Sequence, residues 1–292
     1  MIEDITLLNT KTHTSIQINS QIGPYWVEKI VVGPIKGSHH TFKYLEQIGE
    51  YMDNTTLETR DVSIIAWAVD SQELPLSKAK GMVNSLCSPQ QELEIVFGKY
   101  RLRFYPDSSV QWSTKEGENN DLMAKFLIQG QSFSPMWGLH SPIQTPIAYT
   151  VYGLVLPLVI PLDSGLVFGV IQPTVSARID NQGDLPMGCI INIEATGRVD
   201  NPQINCAETQ EAFLLGKTLE PGERVVIDTR VGSRSVTGIV DGVEYNYMSY
   251  MSFSSNWITL ALGINTLSFS SDSGSQFLSV YVEYSPVYFE VE

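Results

Sequence analysis

Short runs of β-branched and aromatic residues, each closed by a turn signal, constrain the fold of this chain more than any other feature. They predict strands at 62–69, 93–97, 101–105, 109–113, 125–129, 175–180, 189–196, 224–229, 257–260 and 279–284. Between them stand Asn181-Gln182-Gly183-Asp184, Pro221-Gly222, Asp241-Gly242 and Asp272-Ser273-Gly274. These residues accept the φ > 0 or tight-turn geometry that reverses a chain between antiparallel strands. The pattern therefore reads as mostly β.

One segment departs from it. Residues 75–89 read PLSKAKGMVNSLCSP, and Leu76, Ala79, Val83, Leu86 and Cys87 share one helical face. Pro75 suits a first helical turn, whereas Pro89 lacks a donor and restricts Ser88. This predicts one short amphipathic helix, near 75–88, lying against a sheet; Gly81 costs it roughly 1 kcal/mol relative to Ala. The stretch 39–54 is ambiguous. Phe42, Leu45, Ile48 and Met52 have nearly helical spacing, but Gly49 interrupts them, so a loop or extended arm fits equally well.

The connector Gly138-Leu139-His140-Ser141-Pro142, followed by Thr145-Pro146, carries no periodicity and predicts domains at 1–137 and 138–292. The formal charge is −14 over 292 residues, and most of it falls in the second half: −4 before residue 138 and −10 after. With 43% hydrophobic and 17% charged residues the chain can bury a core, which excludes a disordered or coiled-coil protein. Its acidity opposes a nucleic-acid partner.

Acids at Glu3 and Asp4 predict no secretory leader. The apolar run 147–162 is about 16 residues against the roughly 20 a spanning helix needs, and it contains Gly153, Pro157 and Pro161. It reads as a loop feeding a buried strand, not a membrane span. Cys87, Cys189 and Cys206 show no metal-ligand spacing and predict buried free thiols in a reducing cytoplasm.

The search for chemistry yields no catalytic, metal or cofactor site, and no ligand-binding residue is assigned. His13, His39, His40 and His140 fall in polar or loop positions, and adjacent His39-His40 point to opposite sides of an extended chain. Gly130-Gln131-Ser132-Phe133-Ser134 misses a nucleophile elbow by its last residue and by lacking a strand-to-helix context. Asp163-Ser164-Gly165 and Asp272-Ser273-Gly274 suggest the paired carboxylates of aspartic proteases. The second copy follows Ser268-Phe269-Ser270-Ser271, not an apolar strand, so both read as turns. Tyr245, Tyr247, Tyr250, Phe253 and Trp257 could stack on sugar rings, although aromatics on strands usually pack inward.

Read end to end, the chain resembles the distal tail proteins of long-tailed phages that infect Gram-positive bacteria. The resemblance runs through Arg60-Asp61-Val62-Ser63-Ile64, the helix, Leu93-Glu94-Ile95, Lys125-Phe126-Leu127-Ile128 and Phe133-Ser134-Pro135-Met136-Trp137. It continues through Ile179 to Asp184, Ile193 to Gly197, Asn201-Pro202-Gln203-Ile204, Leu219 to Glu223, Val226 to Thr229 and Leu262-Gly263-Ile264-Asn265. The resemblance implies an N-terminal β-barrel or sheet domain with one helix, then a galectin-like β-sandwich, although no galectin-type His-x-Asn-x-Arg pattern is present.

It further implies a non-enzymatic virion protein, made in the host cytoplasm and forming a hexameric ring at the tail tip. The ring would meet the tail tube protein, the tail-associated tip protein and receptor-binding or baseplate proteins. A closing six-fold ring needs a heterologous interface, supplied by sheet edges or extended arms, to which residues 1–18, with Ile2, Ile5, Leu7, Ile16 and Ile18, are expected to contribute. The competing readings are an adhesion module that binds cell-wall glycan and, after it, a hydrolase of cell-wall polymers.

Overall fold

In a computed structural model the chain is described over residues 4–20, 23–45, 48–148 and 176–291. It divides into two compact units, one of residues 1–140 with 288–292 and one of residues 141–287. Each has its own apolar core.

In the first unit the antiparallel strand path runs Ser15–Ile18, Ile5–Asn9, Leu93–Phe97, Tyr100–Pro106, Met123–Ser132, Arg60–Val69, Tyr25–Val32. A bridge between Asn19 and Trp26 then joins the two ends, and the sheet closes as a barrel. Period-2 patterning decides which side faces in. Val62, Ile64, Ala66 and Ala68 are buried on one strand, and Ala124, Phe126 and Ile128 on its neighbour. The register sets Ala66 opposite Phe126, so a small residue faces a large one. At Gly130 a Cβ would lie 2.3 Å from the Tyr105 carbonyl oxygen, which is why glycine stands where these strands meet.

The helix is Leu76–Leu86, and the five residues of its predicted apolar face are all buried. Asp70 accepts the Leu76 N–H at 2.8 Å, and the Tyr25 hydroxyl donates to the Ala79 carbonyl. The N-terminal residues belong to the barrel itself. Ile5–Asn9 and Ser15–Ile18 pair as a hairpin within the barrel, and Ile5, Leu7, Ile16 and Ile18 all enter the core. Their alternation commits one whole face to the core, and Ser15–Ile18 stands at the end of the strand path.

The second unit is a sandwich of two antiparallel sheets. The six-stranded sheet runs Ile143–Ala148, Leu278–Tyr284, Ile190–Ala195, Arg224–Asp228, Ser235–Val240, Val243–Asn246. The four-stranded one runs Ser176–Asn181, Gly263–Ser270, Gln203–Cys206, Glu211–Leu214. Ile191, Ile193, Val225, Ile227 and Val282 from one meet Ile179, Ile204, Phe213 and Leu267 from the other in a single core. The two-residue loop Asp241-Gly242 has φ of 52° and 78°, as a tight hairpin turn requires.

The boundary between units differs from the sequence expectation. Trp137–Leu139 still pairs with Tyr100–Pro106, and His140 donates its N–H to the Lys99 carbonyl, so the first unit extends to residue 140. Residues 288–291 then return to it, with Tyr288 edge-on to Tyr100 at a centroid distance of 5.3 Å. A tail of five residues has too little pattern to announce such a return. No helix among the described residues is long and apolar enough to cross a membrane. The run 147–162 beyond Ala148 and Asp163-Ser164-Gly165 lie outside the described residues.

Because the cores are separate, Phe104→Ala should cost about 3–5 kcal/mol in the first unit alone. Urea unfolding followed by hydrogen exchange of peptides from each unit should show the first transition moving and the second staying in place.

Candidate assembly surface

Between Tyr25–Val32 and Arg60–Val69 the chain leaves the barrel as a hairpin, Gly37–Phe42 paired with Tyr51–Leu57. This is the ambiguous stretch of the sequence, and it is extended. His39, Thr41, Thr55 and Thr56 supply the β-branched and polar residues of a two-sided strand pair, with Gly49 at φ 90° near the turn. Every described side chain from 39 to 57 is exposed, so neither face packs on the protein.

The hairpin nevertheless carries large apolar groups. Phe42, Tyr44 and Tyr51 cluster with ring centroids 5.3–6.3 Å apart. Met52 is exposed, and Leu45 and Ile48 reach 96% and 101% of full exposure. A lone two-stranded hairpin is marginal in water, and ordering each residue costs about 1–2 kcal/mol. Apolar burial within the chain does not offset that cost here.

The hairpin's root is held firmly. Gly33 donates to the Asp61 carbonyl at 2.7 Å and Glu58 to the Lys36 carbonyl at 2.8 Å. Arg60 lies between them with a side chain fully removed from solvent. Its Nε donates to the Gly33 carbonyl (2.8 Å), its Nη1 to the carbonyls of Pro135 and Phe289 (3.0 Å each), and its Nη2 to Glu290 Oε1 (2.7 Å). In the sequence Arg60 stands out only within the motif Arg60-Asp61-Val62-Ser63-Ile64. A charged residue opening an otherwise alternating strand is the signal that could have marked it.

The sequence candidates scatter over both units. His39 and His40 lie on the hairpin and meet Thr55 and Thr56, at 2.9 and 3.4 Å. His13 occupies a turn with φ 56°, and His140 lies 3.2 Å from the buried carboxylate of Glu94, which Arg103 also contacts. No group of three or more His, Cys, Asp or Glu suited to a metal ion occurs among the described residues. Gly130 to Ser132 belong to a strand end. All three cysteines are free and buried, and burial pushes the Cys87 and Cys189 thiols up to about 12. Asp272-Ser273-Gly274 is a turn tied to Asp200, whose carboxylate accepts from Ser273 and Thr218 at 2.6 Å each and is held below its ordinary pKa by those bonds.

The aromatic group of the second unit is divided. Tyr247 is buried over Gly238, where a Cβ would fall 2.0 Å from the ring, and its hydroxyl donates to Glu223 Oε1 at 2.6 Å. Lys217 donates to the same oxygen at 2.7 Å and lies over the Tyr247 and Tyr250 rings. Trp257 packs against Phe213 with Arg234 over its ring. Tyr245, Tyr250 and Phe253 remain exposed, Phe253 completely. Burial raises the Glu223 pKa, but the bonds from Lys217, Tyr247 and the Glu220 backbone together outweigh it, and the carboxyl titrates below its ordinary value.

This architecture, a helix-bearing barrel followed by a two-sheet sandwich, is shared with solved phage proteins. The Dit protein of SPP1, described as a paradigm of the hub adsorption apparatus in Gram-positive infecting phages, shares it with a TM-score of 0.63 and 10% identity. That match covers 97% of this chain and 98% of SPP1 Dit. A chain of the phage P2 baseplate in its activated conformation with Ca gives 0.52 and 12%, covering 97% and 98%. At such identities the likeness establishes the fold. Family evidence comes from residues 182–288, which match the siphovirus-type tail component, C-terminal domain. No curated protein sequence matches the chain. The resemblance to distal tail proteins read from the sequence is thus borne out by the family match and the shared fold.

The Glu223 cluster makes stability depend on pH. A carboxyl with a folded pKa below its unfolded one stabilises fully above the unfolded value, near pH 4.3. That contribution is lost as pH falls through the folded value. Glu223→Gln should lower stability at pH 7 by about 1–3 kcal/mol and flatten the acid limb of the second unit's thermal unfolding between about pH 5 and 3.

Proposed function

We propose that this chain is a non-catalytic structural protein of a phage virion: a hub at the distal end of the tail tube. In this reading six copies close a ring through their first units. The tail tube protein, the tip protein and the receptor-binding or baseplate proteins assemble on that ring, and the second unit, galectin-like in the family resemblance, serves partner attachment.

The observation that carries the proposal is the hairpin Gly37–Leu57, held at its root and covered on neither face. Its two free edges can add a strand across a subunit boundary, and its apolar tip needs a partner's surface. About 20 residues are presented, the number found on one side of a standard interface. A hairpin received by a different patch on the next copy is a heterologous contact, which closes into a ring when the rotation allows. The first half's smaller charge, −4 against −10, also favours packing it around an axis. The glycan reading draws less support, since Tyr247 and Trp257 are engaged inside the unit.

Native mass across a concentration series tests the proposal. A ring should weigh about 195 kDa, six times the 32.5 kDa chain, and look annular in negative stain. Leu45→Asp with Ile48→Asp should give a folded monomer. A wild-type chain that stays monomeric at high concentration and binds cell-wall polysaccharide would favour the adhesion reading.

A further inference from the structure

Arg60 opens the strand that follows the exposed hairpin, and Gly33 comes directly after Tyr25–Val32, the strand that precedes it. Pro34 intervenes between Gly33 and the hairpin and has no N–H with which to continue the ladder. The two legs are joined across this break by Gly33 N–H to Asp61 and Glu58 N–H to Lys36. The Arg60 guanidinium adds a third tie by taking the Gly33 carbonyl from the side. Its remaining bonds leave the hairpin altogether. They go to Pro135, three residues beyond the strand Met123–Ser132, and to Phe289 and Glu290 of the C-terminal tail.

A buried guanidinium without solvent cannot replace a lost acceptor with water, so its partners are bound to one another through it. If the tail departs, Nη1 and Nη2 lose two acceptors, and the side chain must re-orient or admit water. Either response loosens the Gly33 tie. We infer that Arg60 couples docking of residues 288–291 to the geometry of the hairpin root: this segment is a strap that sets how the hairpin is presented. This deepens the reading of the hairpin as an assembly element and rests on it for its purpose, though the coupling itself concerns a single chain. Tyr288, stacked edge-on against Tyr100, is the strap's apolar anchor. Linkage makes the effect reciprocal, so that fixing the hairpin on a partner must also tighten the tail.

Hydrogen exchange of the dilute full-length chain, compared with a chain ending at Val287 and with Tyr288→Ala, tests the coupling. Peptides covering 33–37 and 57–61 should exchange at least about ten-fold faster in both variants, an equilibrium shift typical of coupled sites. The helix Leu76–Leu86 and the second unit should stay within about two-fold of wild type. Unchanged exchange at the root in either variant would overturn the proposal. So would equal loosening of the helix, because the tail would then be a general stabiliser of the unit. Tyr288→Ala leaves every Arg60 partner in the chain, so it remains informative if the truncated protein fails to fold. Native mass is read separately: a coupled root in a chain that never forms rings would sink the assembly reading and leave the strap intact.

Discussion

A guanidinium shut away from water must find acceptors inside the protein, and in this chain Arg60 finds them on four residues from three segments far apart in sequence. Gly33, Pro135, Phe289 and Glu290 are brought together by that requirement. The Glu290 carboxylate is exposed and supplies the countercharge from the rim, while backbone carbonyls do the work inside. Three places where the first unit could come apart meet here: the base of the hairpin, the chain beyond the last long barrel strand, and the C-terminal tail. Had position 60 been apolar, the alternation of Arg60–Val69 would survive, but the three segments would lose their common partner.

The treatment of strand edges separates the parts that are finished from the part that is not. In the barrel the bridge from Asn19 to Trp26 ties the two end strands, Ser15–Ile18 and Tyr25–Val32, together. In the sandwich, edge strand Glu211–Leu214 is covered by residues 252–256. Ser252 and Asn256 donate to its carbonyls, and the Ser255 hydroxyl both accepts from and donates to Leu214. Val243–Asn246, an edge of the six-stranded sheet, is only four residues long. Short, closed or covered edges are how proteins avoid unwanted pairing. The hairpin Gly37–Leu57 has none of these protections and adds apolar side chains besides.

The sandwich shows the same economy in its polar interior. Glu223 would be costly to bury alone, yet one of its oxygens receives both Lys217 and Tyr247, and the lysine is in turn covered by two tyrosine rings. Tyr247 can lie flat at this point because residue 238 is glycine. The aromatic-rich segment 245–257 therefore splits into an internal half that builds the unit and an external half, Tyr245, Tyr250 and Phe253, that faces solvent.

Local rules made much of this legible. Strands 93–97 and 224–229, the helical face from Leu76 to Cys87, and the turn at Asp241-Gly242 follow from side-chain period, proline placement and φ > 0 at Asp and Gly. Those properties belong to a few consecutive residues, so the sequence by itself determined a mostly β chain with one helix and two cores. It could not determine that Ile5, Leu7, Ile16 and Ile18 point into a barrel instead of toward a neighbour, because alternation gives a face but not its destination. Nor could it choose between a helix and an extended arm at 39–54, where Phe42, Leu45, Ile48 and Met52 have nearly helical spacing but Gly49 interrupts them. The return of residues 288–291 and the role of Arg60 were decided by tertiary structure alone. They depend on contacts across as many as 230 positions, and the need of a buried charge for partners exists only once the fold has buried it.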